Sequence, residues 1–190
     1  VRVFQVLDSV PEIQDTPGAR SLPPVAGAVS FRGVSFGYDK HLVLHDICLE
    51  VQPGEIIAIV GTTGAGKTSL VNLIPRFYDV TAGAIVIDSC DVRDVTLHSL
   101  RSQIALVSQQ TILFNDTVRE NIAFGNPDPP QDKILEAARA AHADEFIAAL
   151  AEGYDTIIGE AGVKLSGGHG QRLAIARALF KNAPILILDE

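Results

Sequence analysis

Residues 61–68 read GTTGAGKT and satisfy the pattern G-x-x-x-x-G-K-[ST] at every specified position. The residue types suit phosphate. Gly61, Gly64 and Gly66 let backbone N–H groups reach phosphate oxygens with no Cβ in the way. Lys67 can neutralise terminal phosphates, and the Thr68 hydroxyl can ligate Mg2+. A second pattern, ILILDE at 185–190, ends an aliphatic strand in Asp189, the kind of strand-end carboxylate that a Mg2+ site needs. Glu190 beside it is placed to orient or deprotonate a water attacking a γ-phosphate. A third, LSGGHGQR at 165–172, puts a serine and two glycines ahead of a helix. That start is competent for an anion, but on the residues alone Ser166 is first of all a helix N-cap.

These groups need a strand–loop–helix frame. A turn at PGE, 53–55, leads into EIIAIV, a short apolar run of the type found in parallel strands covered on both faces. The helix after Gly66 must end at Pro75. Ahead of the loop, AVSFRGVSF and HLVLHDICLEV are predicted strands around GYDK, with Ile47, Leu49 and Val51 alternating as a buried face. TAGAIVI and IALV add strands around the helix-like TLHSLR. Helical character then holds from 116 to 151. Thr117 with Glu120 forms a capping box, Gly125 marks a stop, and NPDPP breaks the chain. Ile134, Leu135, Ala138 and Ala141 form one apolar stripe, and Phe146, Ile147 and Leu150 another. A last helix over about Gly168–Phe180 precedes strand ILIL. Strands alternating with helices predict an α/β fold.

Composition narrows the class. The 190 residues are 47% hydrophobic, ordinary for a globular domain, and the formal charge of −8 argues against broad nucleic-acid binding. Cys48 and Cys90 show no metal spacing and are expected as reduced thiols, and His41, His45, His98 and His142 as surface residues. No run approaches the ~18 apolar residues of a membrane helix, and there is no signal peptide. The chain has no methionine and opens on Val1, so it is expected to be a piece of a longer protein. VRVFQVLDS has helical spacing, and the proline-rich PEIQDTPGARSLPPVAG reads as an extended linker, with the globular part from about Ala28.

The phosphate loop by itself leaves kinases, GTPases and motor ATPases open, and no N-K-x-D guanine-reading motif occurs. The full set decides: the loop, Gln109 after IALV, the serine–glycine block, and Asp189. Together they resemble the nucleotide-binding domain of ATP-binding cassette (ABC) transporters over essentially the whole chain. RVFQVLD followed by PEI, VSFGY, VSQQTILFNDTVRENIAFG and the GE–LSGG block are similar to the exporter type, in which a transmembrane half is fused ahead of the ATPase.

The resemblance implies a P-loop NTPase (RecA-like) core with an N-terminal antiparallel β subdomain and an inserted α-helical subdomain at about 110–165. It also implies that the C-terminal part is missing, leaving apolar surface exposed. Residues 1–27 would be the linker from a transmembrane domain and 28–190 the ATP-binding domain. Tyr38 would stack on adenine. Gly61, Thr62, Thr63, Gly64, Ala65, Gly66, Lys67, Thr68 and Ser69 would wrap the phosphates. Thr68, Gln109 and Asp189 would hold Mg2+, and Glu190, Lys67 and Gln109 would serve hydrolysis. Ser166, Gly167, Gly168 and His169 would bind the γ-phosphate of ATP held by the other subunit, so that ATP joins a head-to-tail homo- or heterodimer. The helical block would meet the cytoplasmic coupling helices of the transmembrane domains, with Glu160 and Gly162 helping, at the cytoplasmic face of the membrane.

Four positions depart from the family pattern. His169 stands for the usual glutamine, Gly170 for a longer polar or basic residue, Thr62 for a frequent proline, and Ser89 for a turn glycine. The leading expectation is an ATPase module that powers export, with little turnover by this chain alone. A nucleotide-binding fragment that does not hydrolyse, and a soluble ABC ATPase of translation or DNA repair, are the alternatives.

Overall fold

The computed structural model describes residues 11–39, 41–159 and 162–189. The helical spacing at the front of the chain and the expectations for Glu160 and Glu190 fall outside them. Two compact units divide the chain, Val1–Gln103 and Ile104–Glu190.

In the first unit, β1 (Val29–Tyr38) and β2 (His41–Val51) pair antiparallel, and β3 (Ala82–Ile87) and β4 (Cys90–Asp91) complete a sheet of order β2-β1-β3-β4. Val29 and Phe31 face the core, and so do Val34 and Phe36, which a strict two-residue period would not allow. The register slips between Phe31 and Val34, where Gly33 takes φ +60°. Opposite it, a Cβ on Gly83 would lie 2.3 Å from the Gly33 carbonyl, so both positions require glycine. In β2, Leu44 is buried, while Ile47, Leu49 and Val51 alternate as expected but are only half-buried. The β3–β4 turn puts Asp88 and Ser89 at φ 43° and 75°, the positive-φ pair of a two-residue hairpin. Ser89 adopts the conformation for which a glycine would be usual.

The proline-rich segment forms no helix, turns once at Thr16–Ala19 and is tied down. The Leu22 N–H donates to Ser99 Oγ at 2.9 Å and the Val25 N–H to Gln103 Oε1 at 2.8 Å. The Asp88 carboxylate accepts from the N–H groups of Ala26 and Ala28. Leu22 and Val25 are buried, so packing begins before Ala28. Helix α1 (Lys67–Leu73) stops ahead of Pro75, and α2 (Leu97–Ser102) starts on Thr96, whose side chain accepts from the Ser99 N–H. Leu73, Leu100, Ile85 and Ile87 are among the fully buried side chains of the unit.

EIIAIV departs from expectation. Residues 55–60 form no strand, and Ile56 and Val60 are 95% and 88% exposed. A strand exists only where a neighbour supplies the other half of its hydrogen bonds. The four strands of this unit pair with one another, and none takes up 55–60.

In the second unit, β5 (Ile104–Val107) runs parallel to β8 (Ile185–Leu188), with Val107 opposite Leu188. Between them in sequence lie β6 (Asp116–Thr117), α3 (Val118–Ile122), α4 (Gln131–Ala140), α5 (Asp144–Ala148), β7 (Ile157–Ile158) and α6 (Gly167–Lys181). The short β6 opens the 116–151 stretch that the pattern gave as helical, and it pairs antiparallel with β7, which lies just beyond that stretch. Thr117 caps α3 from the Glu120 N–H, and Asn182, left-handed at φ 50°, ends α6. Ala174 and Ala178 of α6 pack on Ala105 and Val107 of β5. Leu173 and Ala176 join a separate cluster with Ile122, Ile134, Ala138 and Ile147. The fold is α/β, as expected.

Candidate functional site

The phosphate loop closes on its own lysine. Lys67 Nζ donates to the carbonyls of Gly61 and Thr62, at 2.9 and 3.0 Å, and so holds the ammonium across the mouth of the loop. The Ala65 N–H turns back onto the Thr62 carbonyl at 3.1 Å. Gly66, at φ 88°, is the cap residue of α1, and no side chain covers the first amides of that helix. A Cβ there would also sit 2.9 Å from Val43 Cγ1 and Leu44 Cδ2. Residues 61–65 and Thr68 are exposed, while Ser69 is buried. Uncapped amides, an adjacent ammonium and an exposed hydroxyl fit a polyphosphate with its divalent ion.

Tyr38 lies with this loop in the first unit. Its hydroxyl and Ser69 Oγ share a hydrogen bond of 3.1 Å. Its ring meets Phe36 and Tyr78 edge-on, with centroids 5.0 and 5.3 Å away. The sequence reading had no signal for the Ser69 bond or for Tyr78, because both depend on pairing across long stretches of chain.

The second unit collects the other candidates. Gln109 is exposed just past β5, and Asp189 follows β8, its N–H donating to the Val107 carbonyl at 2.9 Å. Parallel pairing therefore puts both at the carboxyl ends of neighbouring strands. Among the described residues no group of three or more His, Cys, Asp or Glu gathers for a metal. Mg2+ is ordinarily held by one or two carboxylates together with phosphate and water rather than by an all-protein cage.

At the start of α6, Ser166 is the N-cap, accepting from the His169 N–H at 3.3 Å. A Cβ on Gly167 or Gly168 would meet nothing within 4 Å, so their backbone faces open space. The His169 ring stacks on Phe146 at 4.2 Å and 8°. His41, His45, His98 and His142 are exposed, as expected.

One anchoring side chain has no signal in the sequence pattern. Arg177, nearly three turns along α6, donates to the carbonyls of Asn121 and Ile112 at 2.8 and 3.0 Å, and to Asn121 Oδ1 at 3.1 Å. It also lies over the stacked rings of Phe114 and Phe124. Burial pushes its guanidinium below the usual arginine range. Asn121, wholly buried, in turn holds the Phe114 N–H and carbonyl. The helix bearing Ser166 is thus fastened to the segment 112–124.

Comparison with known proteins places the chain in a family. A family model described as ABC transporter matches residues 44–190. The ATP-dependent lipid A-core flippase of Syntrophus aciditrophicus (strain SB) is 60% identical over 189 residues, covering 100% of this chain and 31% of the relative. The putative multidrug export ATP-binding/permease protein YgaD of Bacillus subtilis (strain 168) is 53% identical over 191 residues, covering 100% of this chain and 33% of the relative. The solved structure of a bacterial Atm1-family ABC exporter with ATP bound superposes with a TM-score of 0.92 at 45% identity, over 100% of this chain and 33% of that one. The chain spans about a third of the length of these relatives. With a P-loop NTPase fold, an antiparallel N-terminal sheet and a family match over most of its length, the chain belongs to the ABC transporter family as an exporter-type nucleotide-binding domain.

Proposed function

We propose that the chain takes up Mg-ATP and serves as the ATP-hydrolysing module of a membrane exporter. The observation that carries this is the phosphate loop, where Lys67 spans the mouth of a loop whose following helix has uncapped amides. On ATP binding, Lys67 exchanges two neutral carbonyls for phosphate oxygens, a stronger charge-assisted contact. The amides of residues 61–69 take the remaining oxygens, and Tyr38 stacks on the adenine.

By family likeness, Thr68, Gln109 and Asp189 are assigned to Mg2+, which when bound offsets charge on the β- and γ-phosphates. Glu190 orients the attacking water. Ser166, Gly167, Gly168 and His169 donate to the γ-phosphate of ATP held by a second nucleotide-binding domain, and so the nucleotide joins two domains head to tail. Residues 1–27 link to a transmembrane part and 28–190 form the ATP-binding domain. The helical block of about 110–165 meets the coupling helices at the cytoplasmic face. The printed names of the relatives, a flippase and export proteins, support transport. Among the described residues no helix is long and apolar enough to cross a membrane.

Titration of the full chain with labelled ATP and Mg2+, alongside phosphate release, tests the reading. It expects saturable binding and little turnover by the chain alone. No binding would overturn it, and appreciable turnover abolished by Lys67→Ala would overturn the statement about low activity.

A further inference from the structure

Ser69 is the third residue of α1 and is buried, yet its hydroxyl is not spent on solvent. It meets the hydroxyl of Tyr38 at 3.1 Å, 31 positions back in the sequence. Tyr38 is otherwise a surface side chain, 41% exposed at the end of β1. An exposed tyrosine ordinarily samples several rotamers, and docking a base against it costs the entropy of fixing one. Here the ring is held at three points: edge-on by Phe36, edge-on by Tyr78, and at its far end by Ser69. The third point belongs to the helix that opens directly from the phosphate loop.

We infer that Ser69 is a positioning residue for Tyr38, setting the aromatic face against which the nucleotide base stacks in register with the phosphate loop. This rests on the ATP reading above and goes beyond it by giving the Ser69 side chain a task of its own. Its consequence is specificity. The Ser69–Tyr38 bond favours ligands that carry both a base and a phosphate chain over ligands that carry phosphate alone.

The test compares affinities of the full chain for Mg-ATP and for inorganic tripolyphosphate, as a ratio, in Ser69→Ala, Tyr38→Phe and the double variant. Both single changes remove one hydroxyl and keep the surrounding shape. Each is expected to lower the ratio about three- to tenfold, the worth of one hydrogen bond. The double variant should fall no further than either single. Tyr38→Ala, which removes the ring, should lower the ratio by about tenfold or more. A ratio that either hydroxyl deletion leaves unchanged, or losses that multiply in the double variant, would overturn the inference. So would a ratio untouched by Tyr38→Ala. Failure of the unaltered chain to bind either ligand would instead remove the ATP reading, and this inference with it.

Discussion

At Gly66 a helix opens from a left-handed glycine with no side chain over its first amides, and Lys67 closes across the loop from inside. At Ser166 another helix opens from an extended serine whose hydroxyl already accepts the His169 N–H. Both are glycine-rich helix starts, and both could be read as phosphate sites from their letters. The first has uncovered donors and its own cation, so it can hold a polyanion by itself. The second has open backbone at Gly167 and Gly168 and a capped first turn, and the lysine of its loop, Lys164, stands two residues ahead of the cap rather than at the first position of the helix. It is suited to add donors to an anion held elsewhere. Glycine content alone does not distinguish the two; the cap and the placement of the cation do.

The largest expected effect falls on the first start. Lys67→Ala should weaken ATP binding about 10- to 100-fold, the worth of charge-assisted hydrogen bonds, as read by labelled-nucleotide titration. A loss below about twofold would break the comparison, since the loop would then grip without its cation. Next comes the anchoring of the second start. Arg177→Ala leaves the Ile112 and Asn121 carbonyls without their donor and should cost about 2–3 kcal/mol in urea unfolding. Arg177→Lys should recover part of that. Ser166→Ala removes the cap and should cost about 1 kcal/mol in the same measurement, while Ser166→Asn should not. Gly170→Ala is the smallest. A Cβ there would lie 3.7 Å from Leu113 Cδ1 and Thr111 Cγ2, ordinary contact, so thermal unfolding should rise by up to about 1 kcal/mol of added stability. A lower melting temperature would show that α6 uses glycine at that place.

What the letters revealed and what they hid divides by sequence distance. The phosphate loop, the Thr117 cap, the stop before Pro75 and strand ILIL were legible, because each depends on residues a few positions apart. EIIAIV was read as a strand from its apolar run, but pairing decides, and no strand of its unit takes up 55–60. The hold of Asp88 on the segment at Ala26–Ala28 was invisible for the same reason, being made across about 60 residues. So was the bond from Ser69 to Tyr38, although both residues had been picked as contacts to nucleotide. Arg177 carries no such signal in its neighbours along the chain. A half-buried, aromatic-covered guanidinium shows itself only once Asn121, Phe114 and Phe124 are brought to it.

The division of labour between the two helix starts is tested most directly by ATP titration of the dilute chain carrying Ser166→Asp. Aspartate keeps the cap, so the helix start survives, and it places a negative charge where a γ-phosphate would approach. The account predicts an affinity within about twofold of the unaltered chain, because the proposed function gives that serine to nucleotide held by another copy. A loss as large as that from Lys67→Ala would contradict it, placing both starts on the same nucleotide.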